Sequence, residues 1–523
     1  MHQETNQLYY GNNLDILRNP SYVKDESVDL VYLDPPFNSN ATYNVLFAEK
    51  NGAKAASQIQ AFTDTWTWTQ EGESVFADIV TAGGRVADCL RAFRMFLGEC
   101  DMLAYLVMMA PRLMELRRVM KKTASIYLHC DSTASHYLKM LMDSIFGPNN
   151  FKNEIIWSYK RYTAKSNRFQ RLHDVILFYG KSEQGTMFNE PREEYGEKSG
   201  KADSHYKMDD EGRWYRWQKL KGQEPYKIYL SKGRRTGDVW EIPHINASAK
   251  ERIGYQTQKP QALLERIIEA SSNPGDTVLD PFCGCGTTIA AAQKLNRRWI
   301  GIDITQLAIT LIKKRLADSF EGKASFEVIG EPVSLPDAEW LAKTEPYQFQ
   351  WWALGLVGAR PADQKKGADK GIDGRIIFEG DKPGVFENVI LSVKAGKTGS
   401  AHVRDLKGVL DREKAAIGAL ISMQEPTSPM KTEAATAGFY ESDFWGKKYP
   451  KIQLLTIAEL LAGKQIAMPP IRQVDATFKK APKVIEKKEN QSGFKYEWKM
   501  DKEKKDVNVQ VETMSDTIKE YKK

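Results

Sequence analysis

The sequence predicts an α/β protein organised around a parallel sheet, and three stretches carry that prediction. The run Val28-Asp29-Leu30-Val31-Tyr32-Leu33 has the near-continuous apolar character of a strand buried on both faces, and it ends at Asp34 in a turn forced by Pro35 and Pro36. Thr277 to Leu279 reads as a short strand entering the turn Asp280-Pro281-Phe282-Cys283-Gly284-Cys285-Gly286, with a helical pattern from Thr287 to Leu295 behind it. Arg298 to Ile302 then reads as another strand, ending at Asp303. Strand, glycine turn, helix, strand and terminal carboxylate, in that order, make a βαβ unit of the kind that holds nucleotides beyond the carboxyl ends of its strands.

The remaining elements follow in order. Apolar residues at mixed three and four spacing, among them Leu90, Phe93, Leu97, Leu103, Leu106 and Leu113, predict helix between Ala82 and Lys122, and Ser125 to Leu128 reads as a strand. From Phe151 to Lys259 aromatic and cationic residues interleave, turn residues are frequent and no helical period survives, so an inserted recognition region is expected over 151–252. A helix is expected from Gln306 to Phe320, after which Pro332, Pro336 and Pro346 mark an inter-domain passage. The expected domains are 1–330, 345–470 and a charged tail, 471–523, rich in Lys, Glu and Asn.

At 523 residues, two or more cores are the default. No apolar run approaches the roughly 20 residues that cross a bilayer, and the polar start Met1-His2-Gln3-Glu4 carries no secretory signal. A cytoplasmic location and no membrane partner are therefore expected. Five cysteines, without a C-x-x-C pair, argue against a disulfide framework and a structural zinc site. The net charge is +7, and Phe151 to Lys259 alone holds 22 Lys+Arg against 15 Asp+Glu, a concentration that suits a polyanionic partner.

A glycine turn lets backbone N–H groups approach a ligand, and Asp303 stands where a carboxylate accepts ribose hydroxyls in dinucleotide folds. The turn lacks Gly-x-Gly-x-x-Gly, which weakens a nicotinamide or flavin reading, and neither Gly180-Lys181-Ser182 nor Gly396-Lys397-Thr398 has the upstream glycine of an ATP loop. At the other strand end Asp34 offers a carboxylate, Pro35 a carbonyl held rigid by Pro36, and Phe37 a face for stacking an extruded base.

These two segments resemble motif IV and motif I of the amino-methyltransferases, and their order with a basic insertion between them resembles the β-class bacterial DNA adenine methyltransferases. Further matching stretches are Tyr127-Leu128-His129-Cys130-Asp131, Asn153-Glu154-Ile155-Ile156-Trp157 and Gln256-Thr257-Gln258-Lys259-Pro260, so the resemblance covers roughly residues 8 to 320. It implies a Rossmann-like domain that binds S-adenosylmethionine and methylates the N6 amino group of adenine in double-stranded DNA, with a homodimer as the assembly to test and RNA left open as substrate. It implies cofactor contacts at Asp280, Phe282, Gly284, Gly286, Thr287, Asp303, Gln258 and Lys259, and catalytic roles at Asp34, Pro35, Pro36 and Phe37. Tyrosine is the commoner family residue at Phe37; stacking survives the change. Carbon-5 cytosine chemistry needs a nucleophilic thiolate, usually in Pro-Cys, and no cysteine here follows proline.

For DNA contact the expected cations are Lys160, Arg161, Arg168, Arg213, Arg216, Arg234 and Arg235. In the C-terminal part, Gly371-Ile372-Asp373-Gly374 enters one apolar run and Val389 to Val393 ends another at Lys394, so two adjacent strands would join Asp373 to Lys394. The spacing resembles the Mrr-like branch of the PD-(D/E)xK nucleases over roughly 347 to 462, a restriction-endonuclease-like α/β domain in which Asp373 would hold Mg²⁺. Ser392 departs from the Glu or Gln of that family. A methyltransferase with an accessory domain, a fused restriction-modification enzyme and a non-catalytic DNA-binding protein all stand as readings at this point.

Overall fold

A computed structural model describes residues 5–36, 42–44, 60–63, 67–160, 167, 169–193, 207–211, 214–219, 224–229, 234–246, 249–255, 257–362, 371–382, 385–470, 481–484, 495–500 and 507–512. They fall into two compact units, Met1–Asn189 with Asp238–Lys483, and Glu190–Gly237 with Val484–Lys523.

The first unit is built on a nine-stranded sheet in the order Val239–Glu241, Phe151–Ser158, His173–Gly180, Met120–Cys130, Val28–Leu33, Thr277–Asp280, Arg298–Asp303, Asn6–Tyr10 and Phe326–Ile329. Every pairing is parallel except the two made by His173–Gly180. Apolar clusters cover both faces. One packs the helices Gly84–Leu97, Asp101–Val119 and Ser135–Phe146 through residues such as Leu90, Leu106 and Leu138; the other packs Gln261–Ser271, Thr287–Lys294 and Gln306–Ser319 through Leu264, Ile289 and Ile312. Burial on two sides explains why Val28–Leu33 reads as a near-continuous apolar run, broken only at Asp29. The parallel arrangement brings Asp34, Asp280, Asp303 and Gly11 to one edge, beyond the carboxyl ends of four strands.

Three expectations change. The helical stretch before Met120 is three helices, Gln70–Ala82, Gly84–Leu97 and Asp101–Val119, because Gly83, Gly84 and Gly98 take positive φ between them. The segment expected to be a loop-rich insertion contributes Phe151–Ser158, His173–Gly180 and Val239–Glu241 to the central sheet; within it Val175-Ile176-Leu177-Phe178-Tyr179 is a buried strand core that charge counting over the whole window conceals. Two of the three prolines expected to mark a passage, Pro336 and Pro346, open helices that precede the second sheet, while Pro332 lies in the loop before them. Ser334 and Asp337 form a capping box at Leu335–Thr344, and Pro346 begins Pro346–Leu356, where a missing N–H costs nothing.

Pro346–Leu356 packs against Gln306–Ser319, with Gly355 so close to Thr310 that an added Cβ would lie 2.7 Å from its Oγ1. Beyond it stands a five-stranded sheet, Arg360–Pro361, Gly374–Glu379, Phe386–Lys394, Ile417–Ser422 and Ile452–Thr456, antiparallel over the first three strands and parallel over the rest. The chain then returns to the larger sheet, where Ala481 N–H donates to Asp318 and Ala481 packs with Ile253 and Cys285.

In the second unit Trp214–Gln218 pairs antiparallel with Lys207–Met208 and Tyr226–Tyr229, Arg192–Glu193 pairs with Arg234–Arg235, and within the expected tail Lys495–Met500 pairs with Val507–Glu512.

Candidate active site

Asp34 leaves the end of its strand half-buried, followed by buried Pro35. Its Oδ2 accepts a charge-assisted hydrogen bond from Lys259 Nζ, which arrives from the loop before helix Gln261–Ser271. Its Oδ1 is buried with no hydrogen-bond partner among the described residues. A buried carboxylate oxygen left unmatched costs free energy that a hydrogen-bond donor entering the site recovers.

The glycine turn is held by its own carboxylates. Asp280 Oδ1 accepts from Phe282 N–H at 3.0 Å, and Asp303 accepts from Gly284 N–H at 2.9 Å on Oδ2 and from the N–H and hydroxyl of Thr305 at 2.9 and 2.8 Å on Oδ1. Gly284 and Gly286 adopt φ of +49° and +74°, which L side chains rarely take; a Cβ on Gly284 would press on the Tyr255 ring, and one on Gly286 would sit 2.7 Å from Ile312 Cγ1. Close packing of helix Thr287–Lys294 against Gln306–Ser319 therefore demands glycine at 286. Burial pushes the Asp280 carboxyl up to about 7 and the Asp303 carboxyl up to about 6, against hydrogen bonds that pull both down.

All of these groups line one cavity: Asp34, Pro35, Pro36, Gln258, Lys259, Asp280, Phe282, Gly284, Thr287 and Asp303 among the expected residues, together with Asn12, Asn13, Tyr32, Arg112 and Tyr255, which sequence reasoning did not single out. Gly286 stands behind the wall, as the cap of the following helix. Phe37 lies outside the described residues. Gln258 is buried and spends its amide on its own loop, accepting from Ile253 N–H at 2.9 Å and donating to the Glu251 carbonyl at 2.6 Å. Behind the cavity, Tyr32 Oη lies 2.9 Å from His129 Nδ1, and His129 Nε2 lies 3.2 Å from Asp174 Oδ2, a buried chain across three neighbouring strands.

Of the expected DNA-contacting cations, Lys160 is exposed at the end of its strand, Arg216 is exposed on Trp214–Gln218, and Arg235 is exposed with an ion pair to Glu190 at 2.6 Å. Arg234 pairs through its backbone with Glu193, while Arg161, Arg168 and Arg213 lie outside the described residues.

In the C-terminal sheet Asp373 and Lys394 do meet, at 3.5 Å. Asp373 Oδ2 also accepts from Val393 N–H at 2.7 Å and Ser392 Oγ at 3.2 Å, and Oδ1 accepts from Gln350 Nε2 at 2.9 Å. Oδ2 is thus crowded by protein donors, Oδ1 is held by the Gln350 amide, and no group of three or more His, Cys, Asp or Glu side chains able to hold a metal occurs among the described residues. The expected Mg²⁺ ligand therefore serves as a brace between Pro346–Leu356 and the sheet.

A Rossmann-like sheet with a carboxylate-proline turn and a glycine turn at neighbouring strand ends is the architecture of an amino-methyltransferase. The family model described as DNA methylase (N6_N4_Mtase) matches residues 28–314, more than half of the chain, and the chain belongs to that family. Residues 346–462 match the family described as NACHT-associated inactive Restriction Endonuclease 1, in keeping with the occupied Asp373. Among curated relatives, the Type II methyltransferase M.HpaI of Haemophilus parainfluenzae is 32% identical over 213 residues, covering 41% of this chain and 60% of the relative. The DNA adenine methyltransferase YhdJ of Escherichia coli is 27% identical over 303 residues, covering 58% of this chain and 80% of the relative. The solved M1.HpyAVI–SAM complex aligns at 18% identity and a TM-score of 0.32, covering 59% of this chain and 99% of that one. The chain thus spans about three-fifths of the length of M.HpaI. No helix among the described residues is long and apolar enough to cross a membrane.

Proposed function

We propose that this chain is an S-adenosylmethionine-dependent DNA methyltransferase that methylates N6 of adenine in duplex DNA after extruding the base. The observation that carries the reading is Asp34, a half-buried carboxylate with one oxygen held by Lys259 and the other buried and unmatched, in the same cavity as the glycine turn and Asp303. The donor set suits the cofactor: Asp303 offers carboxylate oxygens to ribose hydroxyls, and the acidic cavity suits a sulfonium cation. S-adenosylmethionine supplies an electrophilic methyl group. Everything else falls to the protein.

The amino nitrogen of adenine is a poor nucleophile because its lone pair is delocalised into the ring. Asp34 Oδ1 accepts one amino hydrogen and the Pro35 carbonyl is assigned the other, which returns lone-pair density to nitrogen; Asp34 then takes the proton that the methylated nitrogen must lose. Lys259 keeps Oδ2 oriented. Phe37 is assigned the stacking face for the flipped base, and the exposed Lys160, Arg216 and Arg235 the phosphate contacts. The C-terminal domain is read as accessory: Asp373 is engaged by four protein donors, Ser392 stands where a second ligand is expected, and no cluster of acidic side chains joins them among the described residues, so the residues present do not fit a catalytic Mg²⁺.

The test is transfer of labelled methyl from S-adenosylmethionine to duplex DNA, followed by nucleoside separation. N6-methyladenine is the expected product. Label in N4-methylcytosine would overturn the base assignment, and no label in any DNA would favour a non-catalytic DNA-binding role.

A further inference from the structure

Arg112 is the cavity residue that the proposed chemistry leaves without a task. It projects from the middle of helix Asp101–Val119 into the same cavity as Asp34 and Gly284, and it belongs to none of the motifs that mark the site. Its guanidinium is fixed by three neutral acceptors: Nε donates to Asn13 Oδ1 at 2.8 Å, Nη1 to the Met108 carbonyl at 2.8 Å, and Nη2 to Asn12 Oδ1 at 3.3 Å. Asn13 in turn donates from Nδ2 to the Pro281 carbonyl at 2.8 Å, so the guanidinium is tied to the glycine turn through a single intervening side chain.

No carboxylate of the described residues lies within ion-pair distance of Arg112. A desolvated cation matched only to neutral oxygens is unfavourable, and burial accordingly depresses its guanidinium to about 10. Lys259, the other cation lining this cavity, is already joined to Asp34. A guanidinium carries five N–H groups in a planar fork. Three are engaged, which leaves one on each terminal nitrogen, the pair that a carboxylate accepts side by side.

We propose that Arg112, held by Asn12, Asn13 and the Met108 carbonyl, binds the α-carboxylate of the cofactor's methionyl arm. The identity of that ligand rests on the methyltransferase reading; the demand for an anion rests on the geometry alone. The assignment also divides the two cations of the site between two carboxylates, Lys259 serving Asp34 and Arg112 serving the cofactor. A methyl donor that lacks the carboxylate then leaves the half-buried Arg112 guanidinium without an anionic partner, and the protein discriminates against it.

Calorimetric binding of S-adenosylmethionine, its decarboxylated analogue and 5′-methylthioadenosine to the full chain tests this, with wild type, Arg112→Met and Arg112→Lys compared. Wild type is expected to prefer S-adenosylmethionine over the decarboxylated analogue by about 10- to 100-fold, the range for a bidentate charged pair. Arg112→Met should bring that ratio to within about threefold while binding 5′-methylthioadenosine as wild type does, which also shows that the cavity has folded. Arg112→Lys, with the charge but not the fork, should fall between. Undiminished discrimination in Arg112→Met, or a loss of duplex DNA affinity with the ratio intact, would overturn the assignment of Arg112. Failure of wild type to bind any of the three would overturn the methyltransferase reading together with it.

Discussion

Replacing Gly286 by alanine should cost the protein far more than the same change at Gly322, although both glycines hold φ at +74°. At Gly322 an added Cβ meets nothing within 4 Å, so Gly322→Ala reports the backbone alone: roughly 1–2 kcal/mol for an L-residue in the left-handed region, less about 0.4–1 kcal/mol from the stiffer unfolded chain. At Gly286 the same Cβ lies 2.7 Å from Ile312 Cγ1 and 3.4 Å from Ile312 Cβ and Cγ2, inside a helix pair with no open space. Overpacking of that kind typically adds about 1–3 kcal/mol, so the two variants should differ by roughly that amount in urea denaturation followed by circular dichroism. A double-mutant cycle isolates the contact: in an Ile312→Ala background the clash is gone, and Gly286→Ala should cost no more than Gly322→Ala does. Equal costs at the two glycines, or a Gly286 penalty that survives removal of the Ile312 side chain, would refute the claim that close helix packing dictates glycine at the cofactor turn.

Other expectations follow from the same geometry. Cofactor affinity should rise with pH through about 6 to 7, because Asp303 and Asp280, whose carboxyls sit at about 6 and about 7, accept ligand hydrogen bonds more strongly when ionised; isothermal titration from pH 5 to 8.5 that gave flat affinity would contradict this. Without ligand the sign reverses: both folded values lie above the ordinary 3.8, so their contribution to stability is full below about 4 and is lost as pH rises through 6 to 7, which thermal melting across that window measures. Asp373→Ala leaves the Val393 N–H and the Gln350 amide without their acceptor, and should destabilise the C-terminal domain by about 1–3 kcal/mol. The same variant should leave methyl transfer intact, and wild type should show no Mg²⁺-dependent cutting; cleavage abolished by Asp373→Ala would restore the nuclease reading.

Much of the site is legible in the sequence because a parallel strand buried on both faces announces itself as an apolar run, and because the chemistry waits at its carboxyl end. Asp34, Asp280 and Asp303 each close such a run. What sequence hides is partnership. Lys259 looks like a member of a cofactor motif, yet its partner is a carboxylate 225 positions away. Arg112 follows Pro111 within a largely buried helix and has no local signature; only the packing of that helix turns it into the cavity. The strand character of Phe151–Ser158 and His173–Gly180 is hidden because a long, basic, turn-rich window averages it away. Likewise Asp373 and Lys394 are correctly paired from spacing, but the donors that engage Asp373, Gln350 on a helix and Val393 N–H in the backbone, lie outside any motif.

If the unmatched oxygen of Asp34 activates the amino group, single-turnover methyl transfer to adenine by Asp34→Ala, measured beside cofactor affinity, must lose rate without losing cofactor. The expected result is a fall in rate of about 10²- to 10⁴-fold, the range for a lost general base, with the cofactor dissociation constant within about threefold of wild type. A variant that methylates adenine at the wild-type rate while binding cofactor normally would rule out that role for Asp34.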